Sequence, residues 1–504
     1  MDIPSKRKEL SFMKKAVSLL ILLALLLPAC SENREENTGD DTSAAVSGQS
    51  DPSPASVPEE TEYKRPSHNV PESDFGGADF ITAYPEWQGY RWYFFADEQT
   101  GDGMNDAIYE RKARVEDAVN VKIGQENCGY IADVVTAVRK TVQAGDDTYQ
   151  MGLFHCIQGI AEMVTGGVLY NFDDLPNVDL GAEWWNQDMM DVLRLGSKTL
   201  YGVSDYMIPC PYAIFFNKDM VTRFQLDDPY GLVYEGEWTL DNFLSLSAAV
   251  TQDQNGNGKF EDEDIAGMMA EETSKYQSFV TGCGQYLTSR DENGRVILDM
   301  NTEKMYTIVE KMYSAANTPG EIQFPPSDKE CVSMYAKGNI LFCLDTIASA
   351  VEFRDIDFDL GILPYPKFDN QQENYISLDW GGLMGVPATI RNPEMVGAVI
   401  ELLSYESADT VIPAYYDVLL TGKLARDTDT VAMIDILFDT ITYEIGGNYF
   451  GFSGGFNALF YTIGNEVVTN KNSDFASFYA KNEKSALATI KTFYKQLDKA
   501  EANP

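Results

Sequence analysis

Along the chain, apolar positions change their spacing from strand-like to helix-like and back. Tyr90-Arg91-Trp92-Tyr93-Phe94-Phe95 is aromatic and β-prone, and predicts a first strand that runs into a Gly-punctuated loop, Asp97 to Gly103. Met104 to Val119 has the period of a charged amphipathic helix, and Val121-Lys122-Ile123 that of a second strand. Ile131 to Ala144 is a helix closed by Gly145, followed by a third strand from Tyr149 to Phe154. A βαβαβ opening of this kind calls for a parallel sheet with right-handed crossovers, hence an α/β fold. Ligands in such sheets sit beyond the carboxyl ends of the strands, which makes Asp97 and Glu98 candidate rim residues.

The alternation continues. Tyr212 to Phe216, Ile340 to Leu344, Leu360 to Pro364 and Gly382 to Val386 read as buried strands. Thr239 to Val250 reads as a helix capped by Thr239, with further helices at Met305 to Ala316 and, behind a favourable proline, Pro393 to Ser404. From about Asp409 the chain is mostly helical, ending in a helix from a Ser485 cap to Leu497.

The N-terminus follows a different logic. Lys6, Arg7, Lys8, Lys14 and Lys15 precede the apolar run Ala16 to Leu27, which stops at Pro28-Ala29-Cys30. Basic residues, a short apolar core and a small-residue cleavage site form an export signal, too short for a permanent membrane span. Leu27-Pro28-Ala29-Cys30 resembles a bacterial lipobox, which implies cleavage after residue 29 and lipidation of Cys30. Met13 offers a second start, because Met13-Lys14-Lys15 is itself a sufficient basic region. Residues 30–75 are dominated by Ser, Asn, Glu, Asp, Thr and Pro, the composition of a disordered tether.

Composition removes some classes of function. Asp and Glu number 78 against 38 Lys and Arg, a net charge of −40, so the basic footprint of a nucleic-acid binder is lacking. Only two histidines, His68 and His155, are present, which leaves little for zinc or histidine-base chemistry. The cysteines after Cys30 are widely and irregularly spaced; they predict small buried side chains, with one disulfide left open.

Several strings in order resemble the extracellular solute-binding proteins of ABC importers, family 1, and in particular the carbohydrate-binding group that includes maltodextrin-binding protein. They are Gly145-Asp146-Asp147, Trp184-Trp185 with Leu200-Tyr201-Gly202, Phe215-Phe216-Asn217-Lys218-Asp219 and Trp238-Thr239-Leu240-Asp241-Asn242-Phe243. Tyr335-Ala336-Lys337-Gly338, Gly361-Ile362-Leu363-Pro364 and Gly381-Gly382 complete the set. The resemblance implies a two-lobed clamshell of the periplasmic-binding-protein type (type II), hinged at several crossings. Lobe 1 is expected at 76–205 and 357–410, and lobe 2 at 206–356 and 411–504. It also implies a monomer, tethered to the extracellular face of a bacterial membrane, that delivers a sugar or oligosaccharide to permease subunits.

Sugars need aromatic rings for their C–H faces and polar side chains for their hydroxyls. Asp379-Trp380 in a Gly-rich turn is the foremost candidate, with Trp184-Trp185 before the first crossing and Asp205-Tyr206 at its start. In the C-terminal part Tyr449, Phe452 and Tyr461 are candidates by order of elements. For each aromatic the competing reading is core packing, since rings are usually buried. No GxSxG elbow, HExxH or Walker loop is present, so a binder is expected rather than an enzyme, with a glycoside-acting enzyme or a peptide binder as alternatives.

Asp253 to Asp264 follows the twelve-residue calcium loop: Asp253, Asn255 and Asn257 at positions one, three and five, Gly258 at six for the sharp turn, Lys259 giving its carbonyl at seven, Phe260 apolar at eight, and Asp264 at twelve in place of the usual Glu. A structural Ca²⁺ is the expectation, against a polar Asn-Gly turn that needs no ion.

Overall fold

The structure, a computed structural model, describes residues 65–87, 94–257, 260–261, 263–270, 274–323, 328–420 and 427–502. The export signal, Cys30, most of the predicted tether, residues 90–93 of the predicted first strand and Lys259 lie outside the described residues. The chain divides into two units, Met1–Ser67, of which residues 65–67 are described, and His68–Pro504.

Thirteen strands are described: β1 (Ala78–Tyr84), β2 (Val121–Asn127), β3 (Met151–His155), β4 (Tyr212–Asn217), β5 (Ala266–Ala270), β6 (Thr288–Arg290), β7 (Val296–Leu298), β8 (Ile322–Gln323), β9 (Ile340–Thr346), β10 (Leu360–Leu363), β11 (Ser377–Leu378), β12 (Gly382–Gly385) and β13 (Ile441–Thr442). One sheet runs in the order β12-β3-β1-β2 and another in the order β10-β4-β9-β5-β8. In the first, β1 pairs parallel with β2 and β3, and β12 runs antiparallel to β3. In the second, β5 is parallel to β8 and β9, while β4 is antiparallel to β9 and β10. Every residue of β3 and β4 is buried, which is why both read in the sequence as unbroken apolar runs rather than as alternation.

Most predicted elements stand at their predicted places, within a few residues. The helices Gly103–Val119 and Ile131–Gln143 flank β2, and the helix Leu240–Val250 is capped by the Thr239 hydroxyl, which accepts from the Asn242 N–H. Other predictions need correction. The first strand is Ala78–Tyr84, not Tyr90–Phe95; it mixes Asp79 and Thr82 with its apolar residues, and the richer aromatic run downstream overshadows it. The ordered body also begins before residue 76: His68 packs edge-on against Tyr405 at 4.9 Å, and the Asp74 carboxylate accepts from Gly76 N–H and Asn120 Nδ2. β10 belongs to the second sheet, so the return to the first sheet comes after Leu363 rather than at 357. The last helix is Phe475–Ala502, with Ser485 in its interior rather than at its cap.

Trp184 and Trp185, predicted as ligand contacts, are 3% and 2% exposed and belong to the core. Their indole N–H groups donate to the two oxygens of Glu401, at 3.1 and 2.9 Å, on the helix Pro393–Asp409. The Asp179 N–H donates to the same carboxylate. Glu401 is fully buried, and burial raises its pKa to about 7 against the pull of these donors.

That value generates a prediction of definite sign. Because the folded-state pKa lies above the ordinary carboxylate value, the folded protein holds the Glu401 proton more tightly than the unfolded chain does. Stability should therefore rise as pH falls from about 7 to about 4.5, by roughly 3 kcal/mol for this group alone. Urea unfolding of the wild type and of Glu401→Gln across that window should show the difference between them changing in this direction. A constant difference would refute the assignment.

Candidate functional site

The carboxyl edge of the first sheet gathers an aromatic cluster. β1 ends at Tyr84 and leads to Trp87; β2 ends at Asn127 and leads to Tyr130; β3 ends at His155. Because these strands are parallel, all three ends open on one side. β12 runs the other way and starts there, with Gly382 opposite His155, so Trp380 joins the same edge.

Local hydrogen bonds fix these loops. Gly129, at φ +98°, turns the chain after β2, and its carbonyl accepts from the Glu86 N–H at 2.6 Å, tying the loop of Tyr130 to that of Trp87. The Tyr130 N–H donates to the Asp133 carboxylate at 2.8 Å, which holds the residue at the mouth of the helix Ile131–Gln143 with its ring 53% exposed.

The rings form an unbroken series. Tyr130 meets Trp87 at 5.2 Å, Trp87 meets His155 at 5.8 Å, and His155 meets Trp380 at 5.4 Å, each edge to face. Trp380 lies nearly parallel to Tyr461 at 6.5 Å, and Tyr461 touches Phe452 at 5.0 Å. Tyr461 ends a π-helical turn, Asn457–Tyr461, a geometry that often marks functional positions. From the second sheet Tyr212, the first residue of β4, approaches Trp380 at 5.9 Å. Behind Tyr212 lies a buried ion pair, Lys275 Nζ to Asp345 Oδ1 at 3.5 Å, with Ser349 donating to the other Asp345 oxygen. Trp380, Tyr461 and Trp87 are partly exposed and Phe452 is 41% exposed, so the series offers accessible apolar faces rather than a sealed core.

Asp379 faces the other way. It is 3% exposed and braces the place where the chain passes between the sheets. Its carboxylate accepts from the Cys210 N–H at 2.9 Å, and its own N–H donates to the Thr442 carbonyl at 2.9 Å. Burial raises its pKa to about 6, against bonds from Cys210, Gly381 and Tyr443. The predicted hydroxyl acceptor is thus a structural brace.

The other predicted residues divide in the same manner. Tyr461 and Phe452 join the aromatic series. Tyr449 does not: it is 5% exposed, and its hydroxyl donates to the Leu193 carbonyl at 2.8 Å. Tyr206 is buried under the Arg111 guanidinium, 4.5 Å from its ring centre, and against Phe94. Asp205 is partly exposed, with its N–H donating to the Trp184 carbonyl. Asp97 and Glu98 are exposed in the loop before the helix Gly103–Val119, where the Glu98 carbonyl accepts from Asn105. The strand correction explains their displacement: with β1 ending at Tyr84, the rim rule selects Trp87 instead. Applied to β2 and β3, the same rule would have found Tyr130 and His155.

In the Asp253–Asp264 loop, Gly256 has φ +71° and its N–H donates to Asp253 Oδ1 at 2.7 Å. Asn257 N–H donates to Asn255 Oδ1, and the 1% exposed Asp264 accepts from the Gln254 and Glu261 N–H groups. Cys128, Cys156, Cys210, Cys283, Cys331 and Cys343 form no disulfide among the described residues, and four of them, Cys156, Cys283, Cys331 and Cys343, are buried as predicted.

No family model and no curated protein matches the sequence. Solved structures do match. The ABC substrate-binding protein of Listeria monocytogenes in complex with cycloalternan superposes with a TM-score of 0.54 at 12% identity, over 84% of this chain and 99% of that one. The galacto-N-biose/lacto-N-biose I-binding protein of the ABC transporter from Bifidobacterium longum, in complex with lacto-N-biose, gives 0.55 at 11% identity over 84% and 98%. A cyclo/maltodextrin-binding protein complexed with maltotetraose gives 0.54 at 13% identity over 83% and 98%. These likenesses span nearly the whole of each relative and include both sheets, so the chain has the two-lobed α/β clamshell fold of the sugar-binding solute-binding proteins of ABC importers.

Proposed function

We propose that the chain captures a sugar or oligosaccharide between its lobes and delivers it to the permease of an ABC importer. The observation that carries this reading is the aromatic series from Tyr130 through Trp87, His155 and Trp380 to Tyr461 and Phe452, with Tyr212 approaching from the second sheet. His155 and Tyr212 are buried, and the exposed or partly exposed rings of the series, Tyr130, Trp87, Trp380, Tyr461 and Phe452, are of the kind that the C–H faces of sugars stack upon. The printed ligands of the structural neighbours, cycloalternan, lacto-N-biose and maltotetraose, support the same class. Lipidation at Cys30 and a flexible tether would keep the receptor, as a monomer, at the extracellular face near its permease.

The reading is one of binding without turnover. A glycoside hydrolase needs two carboxyl groups flanking the scissile bond, one with raised pKa. Four carboxyls among the described residues are raised, and each is engaged within the fold: Asp379 by Cys210, Glu401 by both indoles, Glu444 by Thr288 and the helix Ile445–Phe450 that it caps, and Glu321 by Thr318.

Thermal unfolding with maltotetraose, mannotriose, lacto-N-biose and cycloalternan tests the proposal. At least one should raise the Tm by mass action and be recovered intact. Trp380→Ala should weaken that binding by about 2 kcal/mol while the protein remains folded. Cleaved sugar would turn the assignment to an enzyme, and no shift with any of the four would direct the search to peptides.

For the Asp253–Asp264 loop we propose a structural Ca²⁺ held by Asp253, Asn255, Asn257, the Lys259 carbonyl and Asp264. The spacing of oxygen side chains supports it, with Gly258 at position six and Lys259 at seven lying outside the described residues. The ion would fix this loop, far in sequence from the aromatic series. Millimolar Ca²⁺ should raise the Tm of chelator-treated protein, and Asp253→Ala should abolish that rise; equal melting with and without the ion would dismiss the site.

A further inference from the structure

We propose that His155, held with its proton on Nε2, is the hydrogen-bond donor that reads a ligand oxygen within the aromatic series. The inference rests on the sugar-binding reading and deepens it by naming a polar contact that sets specificity.

The two ring nitrogens of His155 differ in their surroundings. The Ile157 N–H points at His155 Nδ1 at 3.4 Å, and a nitrogen that accepts an N–H bond carries no proton. Burial, at 1% exposure, pushes the ring pKa down to about 4, so the imidazole is neutral at ordinary pH. A neutral imidazole has one N–H, and with Nδ1 occupied as acceptor it resides on Nε2. That Nε2 is buried and finds no partner among the described residues.

Two neighbours are in the same condition. Trp87 Nε1 is buried without a partner, on the ring that meets His155 at 5.8 Å. Asn448 donates through Nδ2 to the carbonyl of Cys156, the residue after His155, and its Oδ1 is buried without a partner. An unpaired buried polar group costs about 1–3 kcal/mol, and three such atoms belong to residues that meet at one strand end. Two N–H donors and one amide oxygen, on His155, on the Trp87 ring packed against it and on Asn448 beside it, match a neutral molecule whose hydroxyls both donate and accept. An ammonium group would meet the two N–H donors head-on, so cationic ligands are disfavoured.

With only two histidines in the chain, the test is direct. Protein labelled with ¹⁵N-histidine is titrated with maltotetraose, mannotriose, lacto-N-biose and cycloalternan, and the same sugars are titrated into His155→Phe and His155→Gln by calorimetry. The free protein should show His155 as the neutral Nε2–H form. The sugar that binds should move the Nε2 resonance, bind His155→Phe at least tenfold more weakly, and recover part of the loss in His155→Gln, whose amide restores an N–H. A sugar that binds while leaving the Nε2 resonance unmoved, or that binds His155→Phe as well as the wild type, overturns the role of His155 and leaves the sugar reading standing. Absence of binding by wild-type protein to all four overturns both. The resonance is read on unmutated protein, so a variant that fails to fold does not decide the outcome.

Discussion

The position of everything in the candidate site depends on how the short segment Asp379-Trp380-Gly381 is held between neighbouring backbones. On one side the Cys156 N–H donates to the Gly381 carbonyl, continuing the pairing of β3 with β12. On the other, Asp379 bridges to Pro211, takes the Cys210 N–H on its carboxylate, and donates its own N–H to Thr442. A single extended stretch thereby joins the end of the first sheet, the entry to the second and the C-terminal segment. Trp380 is the side chain that this stretch presents, which is why it meets His155 from β3, Tyr212 from β4 and Tyr461 from the C-terminal helices. The brace and the ring are adjacent residues with divided duties: Asp379 is buried to fix the backbone, and Trp380 is left partly open.

That division shows why the fold was largely legible and the site only in part. Helices such as Gly103–Val119 and strands such as β4 announce themselves by local period, and the α/β order follows from their alternation. The site is assembled from strand ends far apart in the chain, so each error in a strand boundary displaces a predicted contact. Reading the first strand at Tyr90–Phe95 instead of Ala78–Tyr84 shifted the rim to Asp97 and Glu98 and passed over Trp87. Pairs of tryptophans gave no such guidance. Trp184-Trp185 looks like a stacking platform until Glu401, more than two hundred residues later, is seen to take both indole N–H groups. Sequence composition does not distinguish a ring that faces solvent from one whose polar atom is already paired.

The same accounting of polar atoms distinguishes the candidate residues from one another. Tyr449, Trp184, Trp185 and Asp379 were all candidates by residue type, and all have their polar groups met by the protein itself. His155 Nε2, Trp87 Nε1 and Asn448 Oδ1 do not, and their residues meet at the end of β3. In a well-packed interior an unmet donor or acceptor is a liability that a mere scaffold gains nothing by keeping. At a binding site it becomes the source of specificity, because only a ligand that supplies the missing partner recovers the lost hydrogen bond.

This arrangement also bears on chemistry. Proton transfer near neutral pH calls for a group whose pKa lies close to the working pH and whose proton can reach the substrate. His155 fails the first condition, being driven to about 4, and its free nitrogen already carries the one proton of a neutral ring. Glu401, near 7, fails the second, enclosed by two indoles and a backbone N–H. Asp379, near 6, is committed to the Cys210 backbone, so a change in its charge would act on the brace rather than on a bound molecule. Burial thus acts differently on the three groups: it holds His155 neutral, while Glu401 and Asp379 are raised and committed to partners within the fold.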